Sequence, residues 1–470
     1  MKNYNKITKD FLNELVYITG EENVFTDQDR LELYKTDEET DERYHSLPEA
    51  VVFPGSTEEV ARIMKLANKY LVPVTPRGAG TSLAGGAIPV MGGLVMVLTR
   101  MDKILEINPE SLYMKVECGV RTEDIQKEAQ KIGLLYAGDP CSSDSCLIGG
   151  NIATNAGGNR AVKYGTTRDQ IYSIEVVTPE GDITTLGARL SKKTTGYALE
   201  QLVMGSEGTL GIITAATLKL KPLPTCRMDI LAIVTDYQAA TGLVKAITKS
   251  GGIDPTSIEF MDNKAVRSCS DYIKIPLPHY DDGHYVIITL EAFSEEDLER
   301  KVTIVDELCE QAGATEVLEA DEDRIWKARR AMAEAARVES RVVYYEDVVV
   351  PVDKVAQMLQ KTLYFEEKYD MMIRTVAHAG DGNIHYTILK GDLSDKEWAD
   401  MLDKFHEEIY TVAYGMGGRL SGEHGIGCKK IPTMKMFTDP VEMKIMQQIK
   451  KAMDPNNILN PGKIFEAEYE

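Results

Sequence analysis

Two histidines flank one glycine turn in His378-Ala-Gly-Asp-Gly-Asn-Ile-His385, in a chain that holds seven histidines in all. Such a turn can bring two imidazoles toward one point, as a divalent cation requires, although two polar histidines of an ordinary turn would look the same. A second stretch, Ser421-Gly-Glu-His-Gly-Ile-Gly427, places a carboxylate beside an imidazole. Neighbours on a strand face opposite ways, but glycines on both sides let Glu423 and His424 enter one cavity. The expectation is that Glu423 completes a two-histidine, one-carboxylate metal set with His378 and His385. His424, beside the metal, would stay neutral and accept a proton. Zinc, iron and manganese all suit such a set.

Three further stretches are rich in glycine and small residues. Pro76-Arg-Gly-Ala-Gly-Thr-Ser-Leu-Ala-Gly-Gly86 offers consecutive backbone N–H groups and hydroxyls that could cradle a pyrophosphate; taken alone, it is equally a structural turn. Two common nucleotide motifs fail here, because Leu83 replaces the third glycine of G-x-G-x-x-G and Gly86 replaces the P-loop lysine. Asp139–Gly158 is long, small-residue-rich and nearly uncharged, a poor solvent loop but a good lining for a large flat ligand. Gly205-Ser-Glu-Gly-Thr-Leu-Gly211 runs into an alternating strand. Three such loops in one segment point to a single large ligand.

The elements that must position these residues fall into four segments. At about 150 residues per domain, 470 residues suggest roughly three domains. Residues 1–45 are expected as an N-terminal helical segment. Residues 46–222 read as an α+β domain: a capping box at Ser56–Glu59 opens a helix, strands follow at 72–75, 94–98 and 114–120, and a hairpin turns at Pro179–Asp182. Residues 223–414 alternate strands and helices, including helices over 237–249, 295–311 and 321–337, and fit an antiparallel sheet backed by helices. Residues 415–470 open on a glycine-rich loop and end in a helix and DPNNILNPGK.

Composition narrows the function classes. With 53 basic and 74 acidic residues, the net charge of −21 repels a phosphate backbone, so nucleic acid is an unlikely partner. No run approaches the ~18 apolar residues of a membrane span, and the start lacks a signal-peptide core, so a cytoplasmic chain is expected. The seven cysteines include no C-x-x-C pair and are expected as free thiols. Electrons, if they move, have no cluster of this chain's own to receive them.

PRGAGTSLAGG, IGGNIATNAGG and GSEGTLGIIT resemble the FAD-binding domain of the vanillyl-alcohol oxidase/PCMH flavoprotein superfamily. With the histidine motifs, the chain is similar to the branch that holds glycolate oxidase catalytic subunits, D-lactate dehydrogenases and D-2-hydroxyglutarate dehydrogenase. The resemblance spans about 46–465. It implies an α+β fold: a PCMH-type FAD-binding domain, an antiparallel-sheet substrate (cap) domain, and a C-terminal segment that carries the catalytic histidine and packs back on the FAD domain. It implies FAD held by Arg77, Gly78, Ala79, Gly80, Thr81, Ser82 and Gly85. Further contacts are implied from Pro140, Cys146, Gly149, Gly150, Asn155 and Gly158, and from Glu207, Ile212 and Asn460. Residues 77–90 contain no His or Cys for a flavin tether, so the FAD is expected to be non-covalent. In the resembling enzymes the matching positions hold the metal (His378, His385, Glu423) and the base (His424). The family's W-x-x-R pattern selects Arg329 over Arg330 for the substrate carboxylate.

The implied reaction is oxidation of a small D-2-hydroxy acid, D-lactate favoured, to the 2-oxo acid, with proton abstraction and hydride transfer to flavin N5. Electrons would pass to a redox partner, an electron-transferring flavoprotein favoured. The alternative is a glycolate or D-2-hydroxyglutarate dehydrogenase subunit that serves an iron–sulfur subunit or quinone. A metal-dependent hydrolase would leave the three glycine-rich loops without a ligand, and a non-catalytic flavoprotein would have no use for the metal set.

Overall fold

The computed structural model describes residues 4–467; the outer ends of the first and last expected segments lie outside the described residues. The chain divides into two compact units, one comprising Met1–Ala156, Thr166–Leu223 and His424–Glu470, the other Gly157–Gly165 and Pro224–Glu423.

In the first unit, helix Thr57–Tyr70 starts where Ser56 accepts a hydrogen bond from Glu59 N and Glu59 accepts one from Gly55 N. These reciprocal bonds satisfy donors that the first turn would otherwise leave bare. The helix buries Val60, Ile63, Met64 and Ala67 completely, together with Phe11 and Leu15 of helix Lys9–Thr19. Both helices share this core with a four-stranded sheet ordered Val24–Phe25, Ala50–Val52, Leu94–Val97, Val74–Arg77. Its last three strands are parallel, and Ala50–Val52 and Leu94–Val97 are buried throughout. A second, antiparallel sheet runs Ile104–Asn108, Tyr113–Glu117, Ile212–Lys219, Ile171–Val177, Ile183–Gly187, and contains the expected hairpin at 178–182.

The C-terminal residues are woven into this unit. Val74 N donates to Ile458 O and Asn460 N donates to Val74 O, both at 2.7 Å. The buried Lys450 amine donates to Thr209 O, Asp454 Oδ2 and Leu459 O at 2.6–2.8 Å, which ties helix Pro440–Met453 to the 205–211 loop.

The second unit is built on a seven-stranded antiparallel sheet ordered Glu316–Glu319, Cys226–Val234, His284–Ala292, Ser257–Met261, Met372–His378, Asn383–Leu389, Val343–Val349. Segment 157–165 belongs here because Tyr164 Oη donates to the buried Glu291 at 2.7 Å and Lys163 pairs with Asp254 at 3.3 Å. Residues 415–423 also stay with this unit: Arg419 N donates to Val349 O at 2.9 Å, extending the sheet edge. The helix expected over 321–337 is interrupted. A π turn over Glu322–Trp326 leads into Lys327–Arg330, and a new helix runs Met332–Glu339. At the break, Ala331 N is shared between Lys327 O and Ala328 O. The interruption turns Trp326 and Arg329 inward, each 3% exposed. Among the described residues, no helix is long and apolar enough to cross a membrane.

Candidate active site

The sheet of the second unit explains why its histidines converge. His378 ends one strand and His385 lies on the next, directly opposite Val376. Val376 and His378 are two residues apart on one strand, so both imidazoles stand on the same face. Their ring centroids are 5.2 Å apart. The turn between them is tight: a Cβ on Gly382 (φ +95°) would lie 2.1 Å from Val350 O, and one on Gly380 would lie 2.9 Å from Val162. Glu423 reaches both rings, with Oε1 3.4 Å from His378 Nε2 and 3.2 Å from His385 Nε2. A Cβ on Gly157 would come within 2.5 Å of the Glu423 carboxylate, so that residue too is small by necessity. Burial pushes Glu423 up, but His378 and His385 outweigh it and hold the carboxyl well below the usual carboxylate range. Two imidazole nitrogens and an ionised carboxylate oxygen, mutually within 4.8 Å, are a donor set that fits a divalent transition metal.

Behind these three side chains lie two carboxylates on the same sheet face. Glu259 is directly opposite His378 in the register, and Asp347 is directly opposite His385. Glu259 Oε1 is 2.8 Å from His378 Nδ1, and its Oε2 accepts from Arg329 Nε and Nη2 at 3.1 and 2.7 Å. Burial pushes Glu259 up, and the His378 ring and Arg329 guanidinium overcome it and leave the carboxyl below its ordinary value. Asp347, fully buried, accepts from Ser421 Oγ at 2.6 Å and from the backbone N–H groups of Gly422 and Glu423 at 3.1 Å. Its Oδ1 also takes a 2.6 Å hydrogen bond from Asn383 Nδ2. The loop that carries Glu423 is therefore fixed by Asp347, and the turn histidine His378 by Glu259. Sequence reasoning missed Glu259 and assigned Asp347 no role. The signal was present in both cases as an acid inside a largely apolar or aromatic strand, Glu259 in SIEFM and Asp347, next to Glu346, in VYYEDVV.

Arg329 lies inside the second unit on Glu259, whereas Arg330 pairs with Glu322 on the exposed side. The guanidinium edge formed by Nε and Nη2 is engaged by Glu259 Oε2.

In the first unit the three glycine-rich loops come together with the C-terminal segment. Within the first loop, Gly80 (φ +81°) is required because a Cβ there would collide with the Arg77 guanidinium. Arg77 itself is buried, donates to Thr36 O at 2.7 Å and lies over the Tyr34 ring. Ser82 Oγ accepts from Ala84 N and Gly86 N, while Gly78, Ala79, Thr81 and Ser82 stay partly or fully exposed. Gly85 (φ +74°) is buried, and a Cβ there would lie 2.6 Å from Cys428 Sγ.

The second loop leads from buried Pro140 and Cys146 into the short helix Ile148–Thr154. Cys146 bonds Thr122 Oγ1, and burial pushes its thiol up. Gly149 packs on Cys118, while a Cβ on Gly150 would meet open space. Asn155 ends that helix in the left-handed region (φ +54°), and its Oδ1 accepts from Thr166 Oγ1 and Arg168 N. Gly158 falls in the 157–165 segment of the second unit. All seven cysteines are free.

The third loop meets the second through Glu207 N to Ala153 O at 2.8 Å. Glu207 Oε1 accepts from Ile426 N at 2.8 Å and Oε2 from Gly427 N at 2.7 Å, so this side chain braces the loop that begins at His424. Burial pushes its carboxyl up; those two N–H groups and Lys463 pull the other way without cancelling it. Ile212 is a core residue of the strand that follows. Asn460 Nδ2 donates to Glu207 O at 2.7 Å and to Gly86 O at 3.3 Å. Its Oδ1 and Ser206 Oγ are buried polar atoms with no hydrogen-bond partner among the described residues. The open face of Gly150, the partly or fully exposed residues 78–82 and two buried unmatched oxygens fit a large polar cofactor along these loops.

A family model described as "FAD linked oxidases, C-terminal domain" matches residues 223–464, and one described as "FAD binding domain" matches residues 48–187. The chain belongs to the FAD-linked oxidases. This FAD-linked oxidase is 37% identical to D-lactate dehydrogenase of Anaerostipes hadrus over 98% of each chain. It is 38% identical to glycolate oxidase subunit GlcD of Bacillus subtilis over 98% of this chain and 97% of that one. Its fold is that of p-cresol methylhydroxylase, with a TM-score of 0.82 over 99% of both chains at 19% identity, a likeness that speaks for the fold alone. The chain is thus a flavoprotein with a PCMH-type fold and an FAD-dependent hydroxy-acid dehydrogenase.

Proposed function

We propose that this dehydrogenase oxidises a small D-2-hydroxy acid, D-lactate first among them, to the 2-oxo acid with the help of a divalent metal. The observation that carries the metal is the convergence of His378 Nε2 and His385 Nε2 on Glu423 Oε1. The choice of D-lactate is supported by the similarity to the Anaerostipes hadrus D-lactate dehydrogenase. When bound, FAD supplies the hydride acceptor, and zinc, iron or manganese on His378, His385 and Glu423 supplies a Lewis acid that lowers the pKa of the 2-hydroxyl.

The chain's own residues do the rest. Arg329 pairs with the substrate carboxylate, its plane already set by Glu259. His424 accepts the hydroxyl proton as general base, and it is joined by one peptide bond to the metal ligand Glu423. Glu207 holds the 426–427 backbone that follows the base. Residues 77–85, 140–158, 205–212 and Asn460 would hold the FAD, without a covalent tether.

Electrons leave to a partner protein, an electron-transferring flavoprotein ahead of an iron–sulfur subunit, in the cytoplasm. The absence of any C-x-x-C pair supports an external acceptor. A dye-reduction assay on the purified protein with D-lactate, L-lactate, glycolate and D-2-hydroxyglutarate, alongside elemental analysis, tests the reading. D-lactate is expected to give the highest kcat/KM with about one metal per chain. Equal use of L-lactate, or full activity at negligible metal content, contradicts it.

A further inference from the structure

Glu259 sits in the middle of Ser257–Met261, a strand whose five residues are all buried. A carboxylate there is costly unless its charge and lone pairs are matched. The match is divided between two groups that the proposed reaction uses. Oε1 meets His378 Nδ1 at 2.8 Å, and Oε2 meets Arg329 Nε and Nη2 at 3.1 and 2.7 Å. An ionised carboxylate only accepts hydrogen bonds, so His378 must carry its proton on Nδ1. In a neutral ring that leaves the Nε2 lone pair, on the side where Glu423 Oε1 lies 3.4 Å away.

We infer that Glu259 is a positioning residue that locks His378 in the Nδ1–H tautomer, with Nε2 presented to the metal, and holds Arg329 on the same carboxylate, so that the metal ligand and the substrate-binding guanidinium form one rigid unit. The inference rests on the metal reading above and adds a residue to it. Cross-strand register makes the link, because Glu259 and His378 are directly paired. A carboxylate behind a ligating histidine fixes its ring orientation and raises its basicity, and loss of such a partner typically lowers metal affinity about 10–100-fold.

The test compares wild type, Glu259→Gln and Glu259→Asp as full-length flavoproteins. The readouts are zinc affinity by chelator competition, and 15N chemical shifts of the His378 ring in metal-free, histidine-labelled protein, assigned with His378→Asn. Glu259→Gln places an amide N–H₂ against either Arg329 or His378. It is expected to weaken zinc binding about 10–100-fold and to populate the Nε2–H tautomer, with FAD content unchanged. Glu259→Asp keeps the charge and is expected to retain the Nδ1–H tautomer and recover part of the affinity. A buried ion pair with no positioning role would change the melting temperature but neither zinc affinity nor tautomer. Wild-type tautomer and zinc affinity in Glu259→Gln would overturn the inference. Wild-type protein that binds no zinc, iron or manganese would sink the metal reading, and the tautomer comparison would still decide whether Glu259 sets His378. If Glu259→Gln does not fold, a fully retained zinc affinity in Glu259→Asp, whose shorter arm cannot span both partners, overturns the inference.

Discussion

Glu207 invites the most discriminating substitution, because the resemblance assigns it to the cofactor whereas its carboxylate bonds the chain itself. Its two oxygens take the N–H groups of Ile426 and Gly427 at 2.8 and 2.7 Å, two and three residues beyond His424. Glu207→Gln keeps the shape but turns one acceptor into a donor facing a buried N–H. A hydrogen bond to a charged group contributes about 1.5–3 kcal/mol, so the braced loop loses about 2–3 kcal/mol relative to displaced ones. At about 1.4 kcal/mol per decade, that permits a 10–100-fold drop in flavin reduction if the displaced loop carries His424 out of line. The assay is anaerobic reduction of the FAD-loaded enzyme by D-lactate, with FAD affinity measured separately by fluorescence quenching. The expected result is a 10–100-fold slower reduction with FAD affinity within about threefold of wild type. Loss of FAD with a normal rate in the loaded fraction would make Glu207 a cofactor contact and not a brace for the loop.

Three other substitutions probe the frame around the site. Asp347→Asn removes charge from an acceptor of Ser421 Oγ, Gly422 N and Glu423 N; it should lower the unfolding free energy by about 2–4 kcal/mol in urea titrations and weaken zinc binding about tenfold. Lys450→Met leaves Asp454, 1% exposed, without its cation and should cost about 3–5 kcal/mol, read from the same titrations. Burial raises the Asp262 carboxyl above its ordinary value, and the N–H groups of Ala265 and Thr375 only partly oppose this. A raised folded-state pKa favours the protonated form, so this residue's stabilising contribution is full below about pH 3.9 and is lost as pH rises through the raised value. Asp262→Asn should flatten that part of the urea midpoint against pH; an unchanged slope would contradict the assignment.

Local signals in the sequence announced the elements that bear chemistry. The capping box at Ser56–Glu59, the hairpin at 178–182 and the His378–His385 turn all depend on residues close in the chain, so their geometry could be read directly. Glu259 could not be read this way, because it acquires meaning only by standing opposite His378, 119 residues away, in one register of one sheet. Asp347 is similar: its tie to residues 421–423 spans more than 70 positions. The break at Ala331 carries neither proline nor glycine, and neither it nor the π turn over Glu322–Trp326 leaves a mark that periodicity can reveal. The Glu207 brace was hidden for a related reason, since a glutamate in a glycine-rich loop suggests a ligand contact until the amides of 426 and 427 are seen on it.

In the proposed reaction one D-hydroxy acid reduces a bound flavin with a metal on His378, His385 and Glu423 and with His424 as base. Anaerobic stopped-flow at the flavin band, before and after chelation and in His424→Ala, tests it most directly. The expected result is fast bleaching by D-lactate that is lost on chelation, restored by added zinc, iron or manganese, and slowed at least about 100-fold in His424→Ala. Bleaching that survives both chelation and His424→Ala would contradict it.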